Sequence, residues 1–282
     1  MRYATPLAAG LCLVFGLAAC NPTPSEDEVQ QAIQDAASLE QGNISELMMT
    51  VSDPNESVGY FQSAVQSNPD DPSLKRYLGK ALLRAGKSDQ AVRILTDLVN
   101  APGATDEDRL ALAEAQIRAS KWDEAQATLA SIPPTVETYD RYRLEAMVAD
   151  SKEQWKKADS FYSVAAGLTA QPANVLNNWG FSKLQRGDAK GAEKLFIEAL
   201  SYDPNMFTAK NNLVLARAAQ RQYDLPVVQM TQAEKAQLYY TAGLAAIKQG
   251  DVAVGKQLLQ QAIDTSPQYF EAAARSLAAL EG

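Results

Sequence analysis

The 282-residue chain contains no histidine. That absence removes serine–histidine–acid triads, cysteine–histidine dyads, imidazole general bases and histidine zinc sites together. Cysteine occurs only at Cys12 and Cys20. The body of the chain therefore carries neither a disulfide framework nor a thiolate metal cluster. There is no glycine-rich phosphate loop. Glycine (15) and proline (13) are too scarce for a disordered or collagen-like chain. Basic residues are outnumbered, 26 against 34, and the formal charge is −8. Such a chain repels phosphate backbones, so no nucleic-acid partner is expected. The carboxylates of Asp106-Glu107-Asp108 stand at a helix start, where the macrodipole accounts for them. Neither an enzyme, a cofactor, a metal nor a small-molecule substrate is expected. Hydrophobic residues at 46% are enough to build a sizeable core.

The first 36 residues read as an address. Arg2 gives a minimal positive region, and Leu7 to Leu17 is an apolar run broken only by Gly10 and Gly16. The run has the length of a signal-peptide core and is too short to span a bilayer comfortably. It ends in Leu17-Ala18-Ala19-Cys20, which resembles a bacterial lipobox. Residues 1–19 are thus expected to be a lipoprotein signal peptide, with Cys20 lipidated. Two or three acyl chains anchor stably where one holds only marginally. The next residue is Asn21 rather than aspartate; aspartate is the usual inner-membrane retention signal in enteric-type bacteria. By that resemblance the protein faces the periplasm from the outer membrane, touching the membrane only through its lipid. Residues 20–36, opening with Asn21-Pro22-Thr23-Pro24, read as a tether, stiff where prolines favour extended backbone.

The body repeats. From Ala173 to Met206 the landmarks are Trp179-Gly180, Gly187, Ala192, Phe196, Ala199 and Pro204. An earlier unit opens at Pro72 with Leu78-Gly79, Gly86, Ala91 and Leu95. Another opens at Asp106 with Leu112-Ala113, Ala125 and Leu129, and a looser one at Tyr139 with Ala146, Ala158, Tyr162 and Ala165. Phe61, Ala64 and Pro69 match the second half of a first unit, whose opening near Asn43 to Val51 is degenerate, as suits a terminal repeat. Phe207 to Gln222 matches a first helix alone. A last unit starts near Ala236 with Ala242-Gly243, Gly250, Gly255, Leu259 and Ala262, and Phe270 to Ala278 closes the chain as an amphipathic helix. Unit starts fall near 38, 72, 106, 139, 173, 207 and 236, spaced by 33 or 34 residues until the last step of 29.

These landmarks resemble the tetratricopeptide repeat, two antiparallel helices joined by a tight turn. The expected fold is all-α, a right-handed superhelix of helix pairs over residues 37–222. An extended break at 223–232 follows, because Pro226 removes a helical N–H and pushes Leu225 out of the helical region. Residues 233–282 then form a final repeat and capping helix. The break is expected to separate two stacks. A stack of this kind leaves a groove lined by first helices. Asn177-Asn178 and Asn211-Asn212 recur 34 residues apart, at the fifth and sixth positions of successive units. An asparagine amide both donates to and accepts from a peptide backbone. The four form a candidate peptide-binding ladder, with Arg76 and Lys80 on the corresponding face of an earlier unit. The other reading is that asparagine merely suits this helix. Tyr139, Tyr142, Tyr239 and Tyr240 read as packing residues in preference to ligand platforms.

The order of elements resembles one family. A lipobox precedes the repeats. Ile132-Pro133-Pro134, Arg143-Leu144-Glu145-Ala146, Val175-Leu176-Asn177-Asn178-Trp179-Gly180, Ala209-Lys210-Asn211-Asn212-Leu213 and the Leu225-Pro226-Val227 break follow in turn. The chain looks like the TadD lipoproteins of the tight-adherence system, which builds Flp-type pili. That resemblance implies a pilotin or assembly factor whose protein partner is the pilus secretin or another assembly component. The alternative is a general periplasmic adaptor for outer-membrane protein insertion, cell-wall enzymes or exopolysaccharide export.

Overall fold

Three successive repeats begin where a side chain caps the first helix. Asp71 accepts from the Ser73 N–H ahead of Pro72. Thr105 and Asp108 form a reciprocal capping box, and Thr138 accepts from Arg141. The structure is a computed structural model that describes residues 44–280. The signal peptide, Cys20, the tether and the opening of the first repeat lie outside the described residues. A short helix, α1, covers residues 44–50 and belongs to a first unit ending at Ser52; a second compact unit begins at Asp53.

Among the described residues, the regular secondary structure of that second unit is all helical. It runs α2 (Pro54–Ser67), α3 (Pro72–Arg84), α4 (Ser88–Asn100), α5 (Asp106–Arg118), α6 (Trp122–Ala130), α7 (Tyr139–Ser151), α8 (Trp155–Gly167), α9 (Ala173–Gln185), α10 (Ala189–Tyr202), α11 (Phe207–Ala218), α12 (Gln232–Lys248), α13 (Val252–Thr265) and α14 (Glu271–Ala278). Helices α3, α5, α7, α9 and α11 open on the residues that the repeat spacing names. The expected all-α solenoid of helix pairs is the observed fold.

Close approach within each pair depends on small residues. The eighth position carries Gly79, Ala113, Ala146, Gly180, Val214 and Gly243. Against it, sixteen residues on, stand Leu95, Leu129, Tyr162, Phe196 and Leu259 in the complete pairs. A Cβ on Gly79 would lie 2.6 Å from Leu95 Cδ2, and one on Gly180 2.7 Å from Phe196 Cε1. The twentieth position adds Ala91, Ala125, Ala158 and Ala192, all wholly buried. Phe196 then joins Leu213 of the following helix in one cluster, so each pair is wedged onto the next.

The first helices end alike. At the fifteenth position Gly86, Ser120, Glu153, Gly187, Arg221 and Gly250 all take the left-handed conformation. The next N–H reaches back five residues in every case, from Lys87 to Leu82 at 2.8 Å through Asp251 to Ala246 at 2.9 Å. This is the Schellman closure, which glycine fits best. Ser120, Glu153 and Arg221 adopt it without that freedom.

Two expectations are corrected around the proline break. Helix α12 begins at Gln232, four residues ahead of the repeat phase, because Thr231 and Glu234 build a second capping box. The nonhelical stretch at 219–231 also does not divide the solenoid into separate stacks. Tyr223, Leu225 and Met230 pack on the cluster of Val214, Leu238 and Ala242, while Val228 packs on the Phe196 cluster. Met230 is the twenty-fourth residue counted from Phe207, the position that a second helix would fill with its large wedge. Arg221 meets both Asp251 carboxylate oxygens at 2.9 Å, and the Tyr223 hydroxyl donates to the same carboxylate. The stretch is a strap in place of a helix. Its tip, at Val227, is fully exposed, and the polar residues Gln222, Asp224 and Gln229 face solvent as well.

Gly180→Leu is expected to lower the melting temperature, since overpacking typically costs ~1–3 kcal/mol. An unchanged circular dichroism melt would place Gly180 at the surface and refute the repeat phase.

Candidate functional site

The candidate ladder lies on the first helices, and most of it is joined to neighbouring repeats. Asn212 Nδ2 donates to Asn177 Oδ1 at 3.0 Å, linking α11 to α9. Thr241 Oγ1 donates to Asn211 Oδ1 at 2.8 Å, linking α12 to α11. Asn177 is buried, and Asn211 and Asn212 are half-buried. Asn178 instead lines an open hollow, and Lys80 is exposed. Arg76 is committed elsewhere: its Nε and Nη2 meet the buried Asp108 carboxylate at 2.5 and 2.9 Å, tying α3 to α5. The packing reading of the tyrosines fits their positions. Tyr139 and Tyr142 lie on the Tyr162 cluster, Tyr239 on the Leu238 cluster, and Tyr240 stands 5.2 Å from the Phe270 ring.

Lateral polar bonds join every neighbouring pair of first helices from α3 to α12. Besides the bonds above, Arg143 Nη2 reaches Glu114 at 3.3 Å between α7 and α5. Ser182 Oγ donates to Asp150 at 2.7 Å between α9 and α7. The buried Lys210 ammonium donates to Glu234 at 3.0 Å, pinning the extra first turn of α12 onto α11. Sequence reasoning misses Lys210 and Glu234, although Thr231-Gln232-Ala233-Glu234 is a legible capping box.

The electrostatics divide these carboxylates. Burial pushes the Asp108 carboxyl up, but the Arg76 guanidinium and the Thr105 backbone outweigh it and hold the group below its usual value. Glu114 behaves likewise: burial opposes ionisation, and Arg143 with Arg118 prevails. Asp150 goes the other way. Burial raises it, and the hydrogen bonds from Ser182 and Tyr162 offset that only in part.

The hollow beside Asn178 has a volume of about 560 Å³. Its walls come from α7, α8 and α9, the turn at Glu153 and the opening residue of α6. Met147, Trp122, Trp155, Tyr162 and Phe181 supply apolar surface, and Asp150 and Glu153 supply charge. Phe181 is 44% exposed although it is a large aromatic.

Tetratricopeptide-repeat family models match residues 49–105 and 236–269. Curated protein sequences give no match. Among solved structures, the hetero-tetramer of Cut9 and Hcn1 from APC/C is similar with a TM-score of 0.58 and 15% identity, over 80% of this chain and 46% of that one. The present chain therefore spans about half the length of that neighbour. A tetratricopeptide repeat protein from Parabacteroides merdae gives a TM-score of 0.56 and 12% identity, over 85% and 97% of the two chains.

The lateral bonds can be tested by substitution and by acid. Asn212→Ala is expected to cost about 0.5–1.5 kcal/mol in urea unfolding, whereas Asn178→Ala leaves stability unchanged; equal losses would refute this division of roles. For acid, a folded pKa below the unfolded value contributes stability above the unfolded pKa, lost as pH falls through the folded one. Asp108 and Glu114, with ordinary values of 3.8 and 4.5, obey this sign. Asp150 has the reverse sign and favours folding in its protonated form. Arg76→Leu should therefore destabilise most at neutral pH, with the gap to wild type closing as the solution is taken below about pH 4. A gap constant from neutral to acid would contradict the role given to the Arg76–Asp108 pair. The helix-pair phase, the solenoid and the repeat-model matches at residues 49–105 and 236–269 agree: the chain folds as a tetratricopeptide-type solenoid of helix pairs.

Proposed function

We propose that the protein is a scaffold that binds another protein through the face of its first helices. The carrying observation is the contrast along that face. Neighbouring first helices are tied laterally by Arg76–Asp108, Arg143–Glu114, Asp150–Ser182 and Asn177–Asn212, yet Asn178 and Phe181 open into a sizeable hollow. A face held rigid by its own bonds loses little freedom when a partner docks, which favours affinity.

The fuller reading adds an address and a partner. Acyl chains on Cys20 hold the scaffold at the outer membrane, facing the periplasm, and the tether lets the repeats reach away from the bilayer. The partner is the secretin, or another assembly component, of a Flp-type pilus, and the protein serves it as a pilotin. Leu17-Ala18-Ala19-Cys20 and Asn21 support the address; the family resemblance supports the partner.

Two measurements test this. Radioactive palmitate should label the wild type and not Cys20→Ser; label retained in the serine variant would refute the anchor. The acylated protein should recover the secretin from a piliated strain, and Asn178→Ala combined with Asn212→Ala should reduce that recovery while the fold persists by circular dichroism. Recovery at the wild-type level in the folded double variant would refute the asparagine contribution. A wild-type protein that recovers no pilus component would refute the pilotin role.

A further inference from the structure

The hollow between α7 and α9 has a chemistry that the asparagine ladder does not explain. Its lining residues include two carboxylates, Asp150 and Glu153, and no lysine or arginine. Its remaining wall is largely aromatic, with Trp122, Trp155 and Phe181 beside Met147. Arg186 approaches the Trp155 ring at 5.7 Å and is bound to Asp159 at 2.5 Å; its charge also favours the ionised form of Asp150, but less than burial opposes it. Aromatic faces attract cations, and long basic side chains lay their methylene stems along apolar surface while the head stays polar. An aromatic wall bearing two carboxylates therefore suits an amphipathic cation.

Glu153 adds a second argument. It occupies the left-handed fifteenth position, φ 55°, where three other units carry Gly86, Gly187 and Gly250 and two carry Ser120 and Arg221. Glycine would relieve the backbone there. The chain instead keeps a carboxylate at the edge of the hollow, in a conformation unfavourable to it. Burial also weighs against the charge of Asp150, which a cation in the hollow would offset.

The geometry points to a recognition pocket for a basic side chain of the bound protein: a lysine or arginine next to an apolar residue, with its stem against Trp122, Trp155 and Phe181 and its charged end at Asp150 and Glu153. Asn178, in the same lining, is placed for the backbone of that segment. This deepens the protein-binding reading and rests on it. The net charge of −8 adds a long-range attraction for a basic segment.

The test is fluorescence anisotropy with full-length protein and labelled twelve-residue peptides. All share one polar sequence and differ in a central pair: Lys-Leu, Arg-Leu, Gln-Leu or Glu-Leu. The wild type should bind the lysine and arginine peptides on the order of tenfold more tightly than the glutamine or glutamate ones, a difference equal to one well-made charged contact. Glu153→Gly should erase most of that preference while the melting temperature holds or rises, because the backbone is relaxed. Trp155→Ala should weaken the basic peptides selectively. A preference that survives unchanged in folded Glu153→Gly would overturn the pocket. Binding that ignores the central residue would overturn it too, and would leave the protein-binding reading intact. Failure of the wild type to bind any peptide in the set would count against both.

Discussion

Everything in the fold depends on how closely two helices of a pair can approach. The contact that sets the distance is a small eighth residue under a large twenty-fourth one. Gly180 beneath Phe196 shows its tolerance, since even a Cβ would sit 2.7 Å from the ring. Once the pair closes, the large residue extends past its own pair and enters the next, as Phe196 does beside Leu213. The same contact therefore fixes the pair and passes order to its neighbour. Burial supplies most of the favourable free energy, and the glycine or alanine makes it available by letting the backbones approach. The Schellman closures and lateral bonds then act on a frame already set. They decide the exit direction of each first helix and hold the row of first helices together.

The strap shows the constraint surviving loss of its usual element. Pro226 stands at the twentieth position from Phe207, where complete units carry alanine or glycine in their second helix. No regular helix continues through it. The cluster on α11 and α12 is instead filled by Tyr223, Leu225 and Met230, and Arg221 with Tyr223 converge on Asp251. An absent helix is replaced by side chains that meet the same buried surface, so packing continues from α11 into α12.

What is legible in the sequence follows from this ranking. The openings of α3, α5, α7, α9 and α11 are readable because the spacing of small and large residues is imposed by the close contact itself. Pro226 announces the strap, but its packing is hidden: an extended segment has no periodicity to show which side chains turn inward. The repeat phase misplaces the opening of α12, because the capping box adds one turn ahead of that phase. The left-handed positions are readable at Gly86, Gly187 and Gly250 and invisible at Ser120, Glu153 and Arg221, where the surrounding turn overrides the residue's own preference. Of the candidate site, the position of the asparagines is legible and their engagement is not. Asn177 and Asn178 are neighbours in sequence and differ only in direction, one toward Asn212 and the other toward the hollow. Arg76 looks available in the sequence because its partner Asp108 lies 32 residues away in the next repeat.

The central claim is that packing passes unbroken through the strap, so that the repeats on both sides unfold together. The three tryptophans, Trp122, Trp155 and Trp179, all precede the strap, whereas α12, α13 and α14 follow it. Tryptophan fluorescence therefore reports one side, and far-ultraviolet circular dichroism reports both. Urea unfolding followed by the two signals should give coincident midpoints and slopes if the strap carries the packing. A circular dichroism transition that splits, with one phase absent from the fluorescence, would show the last repeat folding on its own and contradict the account.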